Sequence, residues 1–363
     1  MTIKFVFIQL GSSIPNYLEG NIKRLSTLFP NNEIYLITNN QKLLKLTIPN
    51  LRIERYISND YHEYLLNKLS KKSDFREGFW RLSLERLLAL TKFQTENKTE
   101  FLLHLESDVL VFPNFPLDSI KKLNKLSWSR YNQKLDIASL LYSPNYLSAS
   151  LLQEGIENSL ELNNHHTDMT LLNEVRQNID SSVTVFPSLP YSESHLMNEK
   201  SGITIDSQIQ ISALFNFFGG IFDPAAIGVW LLGKNPENTY ARLILHDRWI
   251  IDTGDSFIDP SGVNYTFKPD GNLYLVEKDN QIPIFNLHVH SKNFDLLNAK
   301  WVKELDRFVK LSENKNTIRY INPTGFAKLL ALNFKRKKLI EFILSFPMLY
   351  SLRMKVREIF SKT

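Results

Sequence analysis

Two acids, Glu106 and Asp108, stand one residue apart in the run Phe101–Phe112, FLLHLESDVLVF. The apolar residues Phe101, Leu102, Leu103 and Leu105 read as a short buried strand that ends at these acids. Side chains alternate along a strand, so residues 106 and 108 are expected on one side. In an open α/β sheet, ligands bind in the crevice beyond the strand C-termini. Two carboxylates there repel one another unless a cation lies between them. Oxygen ligands suit Mg²⁺ or Mn²⁺, and such ions commonly bridge to substrate phosphates. The plainer reading is that Glu and Asp follow the strand as turn formers or helix caps.

A second constellation lies in Ile284–Lys292, IFNLHVHSK. Period two puts Asn286, His288 and His290 on one strand face and Leu287 and Val289 on the other. A single histidine is more often a satisfied structural residue, but two on one face leave ligand and structural roles evenly balanced. Lys292 can meet a phosphate as a point charge. A hard cation held by Asp108 and one of the two histidines, with a phosphate bridging, makes a coherent site. The pair Gly219-Gly220 can bring backbone close to a ligand, and the small-residue helix after it can offer amides to an anion. With equal weight, the pair is a tight turn capped by Asp223.

These residues need elements to position them. Strands are expected at Ile3–Leu10, Glu33–Thr38 and Arg52–Tyr56, and helices at Tyr17–Phe29, Tyr61–Leu69 and Phe79–Phe93. In the last helix Leu84, Leu87, Leu88 and Thr91 share a stripe, while Arg81 and Glu85 share another face at i,i+4. A helix is expected to open at His165–Met169, with Thr167 or Asp168 as its N-cap. Ser181–Gly202 reads as a loop and Ile282–His290 as one strand. Strand–helix alternation argues for a mostly parallel sheet covered by helices.

The chain has 363 residues, 43% apolar and 22% charged, with no cysteine. Disulfides, cysteine-ligated zinc, iron–sulfur clusters and thiol catalysis are therefore excluded. The net charge is +5, but residues 334–363 hold eight Lys/Arg against two Glu, so the remainder sums to −1. A body of that charge is no general nucleic-acid binder. The tail stripe Leu349, Leu352, Val356, Ile359 and Phe360, flanked by Arg353, Lys355 and Arg357, reads as a basic amphipathic helix for an anionic membrane surface. A solvated helix packed on the body is the equal alternative. No apolar run reaches the ~20 residues that span a bilayer. Gly11 stands without G-x-G-x-x-G or G-K-[ST], which counts against a kinase, an ATPase or a dehydrogenase. No G-x-S-x-G supports a hydrolase triad.

The segments IKFVFIQLG, YLITNN, FWRLSLERLLAL, FLLHLESDVLVF, GGIFDPAAIGVWLLGKNP and NLHVHSK together resemble a GT-A-fold glycosyltransferase with a DxD motif, of the bacterial type that builds surface polysaccharides. The resemblance spans residues 3–310 and implies a GT-A-like catalytic domain over 1–310, with a helical extension over 311–363. It implies a hexosyltransferase that moves a sugar from a nucleoside-diphosphate sugar, UDP favoured, to a glycan or lipid-linked acceptor. Glu106 and Asp108 would hold Mn²⁺ or Mg²⁺ on the diphosphate, with Ser107 between them and His288 or His290 completing the site. The nucleotide base would lie against Gln9, Leu10 and Gly11 and against Thr38 and Asn39, with Arg81 meeting the donor from its helix. Asp168 and Asp223 would serve sugar binding or base catalysis. The expected location is cytoplasmic, with the tail as a peripheral contact at the inner membrane face. Two other readings stand beside this one: a sugar-nucleotide nucleotidyltransferase, for which GSSIPN is a poor phosphate loop, and a non-catalytic sugar-binding protein.

Overall fold

Strand and helix alternate as the periodicity predicts. The computed structural model describes residues 2–69, 78–163, 167–191, 194–232, 255–277 and 280–290. In chain order the first half runs β1 (Lys4–Gln9), α1 (Leu18–Leu28), β2 (Ile34–Thr38), β3 (Leu51–Arg55), α2 (Asp60–Asn67), α3 (Phe79–Glu96), β4 (Leu102–Leu105), β5 (Val109–Val111) and α4 (Leu117–Lys121). The second half runs β6 (Leu126–Arg130), β7 (Asp136–Ser143), α5 (Tyr146–Leu162), α6 (Asp168–Asn178), β8 (Val183–Val185), α7 (Ile205–Ser212), α8 (Phe215–Phe218) and α9 (Ala226–Leu232). β9 (Asn264–Phe267), β10 (Leu273–Glu277), β11 (Asn280–Ile284) and β12 (Asn286–His288) follow.

Seven strands form one mixed, mostly parallel sheet in the order β3-β2-β1-β4-β7-β6-β8. β3, β2, β1 and β4 are mutually parallel, and β7 runs antiparallel to its neighbours β4 and β6. The parallel strands therefore end on a common edge. Both faces of the sheet are covered, so β1 is apolar almost throughout rather than alternating. Val6 and Ile8 pack into one cluster with Leu84, Leu87 and Leu88 of α3, Leu152 and Ile156 of α5, and Leu171 of α6. Phe5 and Phe7 pack into the opposite cluster with Leu18, Ile22 and Leu25 of α1. A three-stranded sheet, β11-β10-β9, and a two-stranded pair, β12-β5, lie beyond the main sheet.

Two expectations need correction. The run Ile282–His290 is two strands, because Phe285 breaks it. Its N–H donates to Ile221 and its carbonyl accepts from Phe112, so the chain leaves β10 and takes β5 as its new partner. The expected loop 181–202 contains β8, a strand too short for periodicity to reveal. The basic tail, the expected extension over 311–363 and Lys292 lie outside the described residues. Among the described residues, no helix is long and apolar enough to cross a membrane.

Candidate metal centre

β4 is four residues of buried LLHL and ends at Leu105. Beyond it Glu106, Ser107 and Asp108 do not continue the strand. They form a turn in which the Glu106 carbonyl accepts the Val109 N–H at 3.0 Å. Strand alternation is thus not what brings the two acids together. The turn does, and β12 supplies the third group. β12 pairs antiparallel with β5 and puts His288 opposite Val109. The His288 Nε2 lies 3.0 Å from Asp108 Oδ2 and 3.6 Å from Glu106 Oε2.

Among the described residues, Glu106, Asp108 and His288 bring one ligand atom each to within 4.8 Å of the others. Adjacent ligands of an octahedral ion with bonds near 2.1 Å stand roughly 3 Å apart, so this spacing fits a small divalent cation. Formal charge agrees. Arg86 donates to Glu106 Oε1 at 2.7 Å and reaches Asp168 Oδ2 at 3.4 Å. Glu106 and Asp168 thus face one guanidinium, and with Asp108, which meets His288 instead, the cluster holds three carboxyl groups against one arginine, a formal surplus of two negative charges. Burial alone would lower the Arg86 pKa, but the Glu106 and Asp168 carboxylates outweigh it and hold Arg86 above its ordinary value. Asp168 is raised by burial, with Arg86 opposing and Glu106 adding to the rise. It sits in the first turn of α6 behind the capping residue Thr167, whose hydroxyl accepts the Thr170 N–H.

His288 is seated by backbone. Asp223 Oδ2 accepts the His288 N–H at 3.0 Å and the Gly228 N–H at 2.8 Å, and Oδ1 accepts the Ile227 N–H at 2.8 Å. One carboxylate therefore caps α9 and ties it to β12. Burial raises the Asp223 pKa, while those three amides pull it back. Gly228 makes this contact possible, since a Cβ there would lie 2.2 Å from the His288 carbonyl oxygen. Among the described residues the buried His288 Nδ1 has no hydrogen-bond partner, and the ring is placed by its strand and by Asp223. His290 lies beside the cluster, its ring 5.9 Å from that of His288 and edge-on to it.

The ends of β1 and β2 meet on the same sheet edge. The Gly11 N–H donates to Asn39 Oδ1 at 2.9 Å, and the Thr38 hydroxyl donates to the Gln9 carbonyl at 2.6 Å. The Gln9 amide donates to the Ser13 carbonyl, which folds the chain after Leu10 back on itself. Gly11 takes φ 84°, a left-handed conformation that favours glycine.

Other expected residues stand elsewhere. Arg81 bonds Glu63 at 2.5 Å and Asn67 at 2.7 Å, both on α2. The arginine that reaches the acids is Arg86, which has no marking neighbour in sequence. Gly219 is the left-handed cap of α8. Gly220 approaches protein, not open space, because a Cβ there would lie 2.5 Å from the Phe285 ring. Sequence reading also missed Tyr17, whose side chain bonds that of Ser107, and Asn21, which bonds the backbone on both sides of Asp108. Their spacing of four on one helix was the available signal.

No protein-family model matches the chain, and no curated protein matches it. Among solved structures, it is similar to a galactosyltransferase, LgtC, in complex with donor and acceptor sugar analogs. That match has 15% identity and a TM-score of 0.37 over 51% of this chain and 73% of that one. An active-site mutant of LgtC matches at 15% identity and 0.40, over 58% and 83%. Mouse xyloside xylosyltransferase 1 matches at 10% identity and 0.30, over 51% and 85%. Likeness at this level leaves family and activity to be argued from the site itself.

Proposed function

We propose that this chain is a metal-dependent glycosyltransferase of the hexosyltransferase type. Its donor is a nucleoside-diphosphate sugar, UDP-sugars first among them, and its acceptor is a glycan or lipid-linked glycan of a surface polysaccharide. The observation that carries this reading is the convergence of Glu106, Asp108 and His288 at the C-terminal edge of the sheet. The two carboxylates of this ligand set suit Mn²⁺ or Mg²⁺. When bound, the cation neutralises charge growing on the diphosphate leaving group.

The protein groups divide the rest of the work. Asp108 and His288 are the principal ligands. Glu106, paired with Arg86 through Oε1, would offer its other oxygen as the third ligand. Asp168, held beside Arg86, is the candidate to accept a hydrogen bond from a sugar hydroxyl. Both oxygens of Asp223 are engaged by backbone amides, so it serves as a positioning residue for His288 and not as the base. The Gly11–Asn39 corner is the seat for the nucleotide.

The test is release of nucleoside diphosphate from a panel of UDP-, GDP- and ADP-sugars with Mn²⁺ or with a chelator. One donor class is expected to turn over, and chelation or Asp108→Asn is expected to abolish it. Undiminished release by Asp108→Asn would overturn the reading, as would no release from any donor.

A further inference from the structure

Among the described residues, the three-residue strand β5 pairs on one edge only. Along that edge the Val289 N–H donates to the Asp108 carbonyl at 2.8 Å and the Phe112 N–H donates to the Phe285 carbonyl at 3.0 Å. Backbone groups of successive strand residues point to opposite edges, so the carbonyls of Val109 and Val111 face the other way, and the Ser107 carbonyl of the preceding turn faces the same side. No strand lies there among the described residues. Helix α1 lies there instead.

Tyr17, at the start of α1, with Asn21 and Arg24 stands at i, i+4 and i+7, which makes a single stripe. The Asn21 amide donates to the Ser107 carbonyl at 3.0 Å and to the Val109 carbonyl at 2.8 Å. Arg24 donates to the Val111 carbonyl at 2.5 Å. The Tyr17 hydroxyl bonds the Ser107 side chain. Asn21 is buried, with 4% of its surface exposed, so its bond to the Val109 carbonyl is shielded from competing water.

We infer that Tyr17, Asn21 and Arg24 are positioning residues: a polar ladder that takes the place of a neighbouring strand and fixes Asp108 and His288 in register. Asn21 grips the carbonyls on either side of Asp108, and Val109, which it holds, is the residue paired with His288. The ladder thus sets both principal ligands from outside the cluster. The inference rests on reading that cluster as a cation site.

The test compares the full chain with Asn21→Ala, Arg24→Met, Arg24→Lys and Tyr17→Phe, which removes one hydroxyl only. Mn²⁺ affinity is read by electron paramagnetic resonance of the free ion, and amide exchange by mass spectrometry. Asn21→Ala is expected to weaken Mn²⁺ binding about 10–100-fold and to speed exchange over 107–112 and 286–290, while β1 and β2 keep wild-type protection. Arg24→Lys is expected to recover part of what Arg24→Met loses, and Tyr17→Phe to weaken binding a few-fold. Should Asn21→Ala not fold, Tyr17→Phe and the Arg24 pair decide the matter. Wild-type affinity and exchange in those variants would overturn the ladder. A wild-type chain that binds no Mn²⁺ overturns the cation reading instead, and unchanged exchange over 107–112 in the variants then overturns the ladder separately.

Discussion

Arg86 compensates two carboxylates at once, the half-buried one of Glu106 and the buried one of Asp168. Removing one partner of a buried charge pair costs about 3–5 kcal/mol, because the remaining charge is left buried and unpaired. Arg86→Ala is therefore expected to destabilise the fold by that amount in urea denaturation, and a change under 1 kcal/mol would contradict the pairing. His104, on β4 beside this group, gives a second prediction. Burial, with Arg86 adding to it, lowers its pKa to about 4, and its ring bonds the Val6 carbonyl. The folded state keeps the ring neutral while the unfolded chain protonates it near its ordinary pKa of ~6.5. This contribution is complete above pH ~6.5 and is lost as pH falls toward 4, on the order of 3 kcal/mol over the window. Stability measured between pH 7 and 4.5 is expected to fall less steeply in His104→Asn, and an unchanged slope would refute it. The acids and the histidine pair were legible because both carry a marked residue type at a fixed spacing. Arg86 was not, since nothing local separates it from Arg81 five residues earlier. Only the packing of α3 on the sheet, against Val6 and Ile8 of β1, decides which arginine meets the acids.

At the scale of elements, the site depends on α9 lying directly against β12. Gly228 and Gly20 make a controlled pair. Gly228→Ala drives a Cβ into the His288 carbonyl, whereas a Cβ at Gly20 of α1 meets nothing within 4 Å. Gly228→Ala is expected to cost about 1–3 kcal/mol as overpacking and to weaken Mn²⁺ binding. Gly20→Ala is expected to gain about 0.5–1 kcal/mol from reduced backbone entropy, with Mn²⁺ binding unchanged. Thermal melts with and without Mn²⁺ check both, and equal effects of the two substitutions would contradict the contact. The long periodic helices α1 and α3 were legible because each buries a stripe of leucines or isoleucines on the sheet. The break between β11 and β12 was not. IPIFNLH reads as one continuous strand, and its division is set by partners distant in sequence, Ile221 and Phe112.

For the whole molecule, the parallel half of the sheet places the Gly11–Asn39 corner and the Glu106–Asp108 turn on one edge. Under the proposed function, nucleotide and cation would sit side by side across β1 and β4. Most of this frame was readable from strand–helix alternation, because a sheet buried on both faces demands apolar strands and striped helices. The convergence of His288 on the acids was not, because it joins residues 180 positions apart. The central claim is that the cation seated at Asp108 and His288 is what binds the donor diphosphate. The most direct measurement is the melting temperature of the wild-type chain with UDP, GDP, ADP and CMP, each with and without Mn²⁺. A ligand that binds only the folded state raises that temperature by mass action. One nucleoside diphosphate is expected to raise it with Mn²⁺ and not without it, and Asp108→Asn is expected to lose the shift. An equal rise without metal, or a shift that survives Asp108→Asn, would contradict the claim.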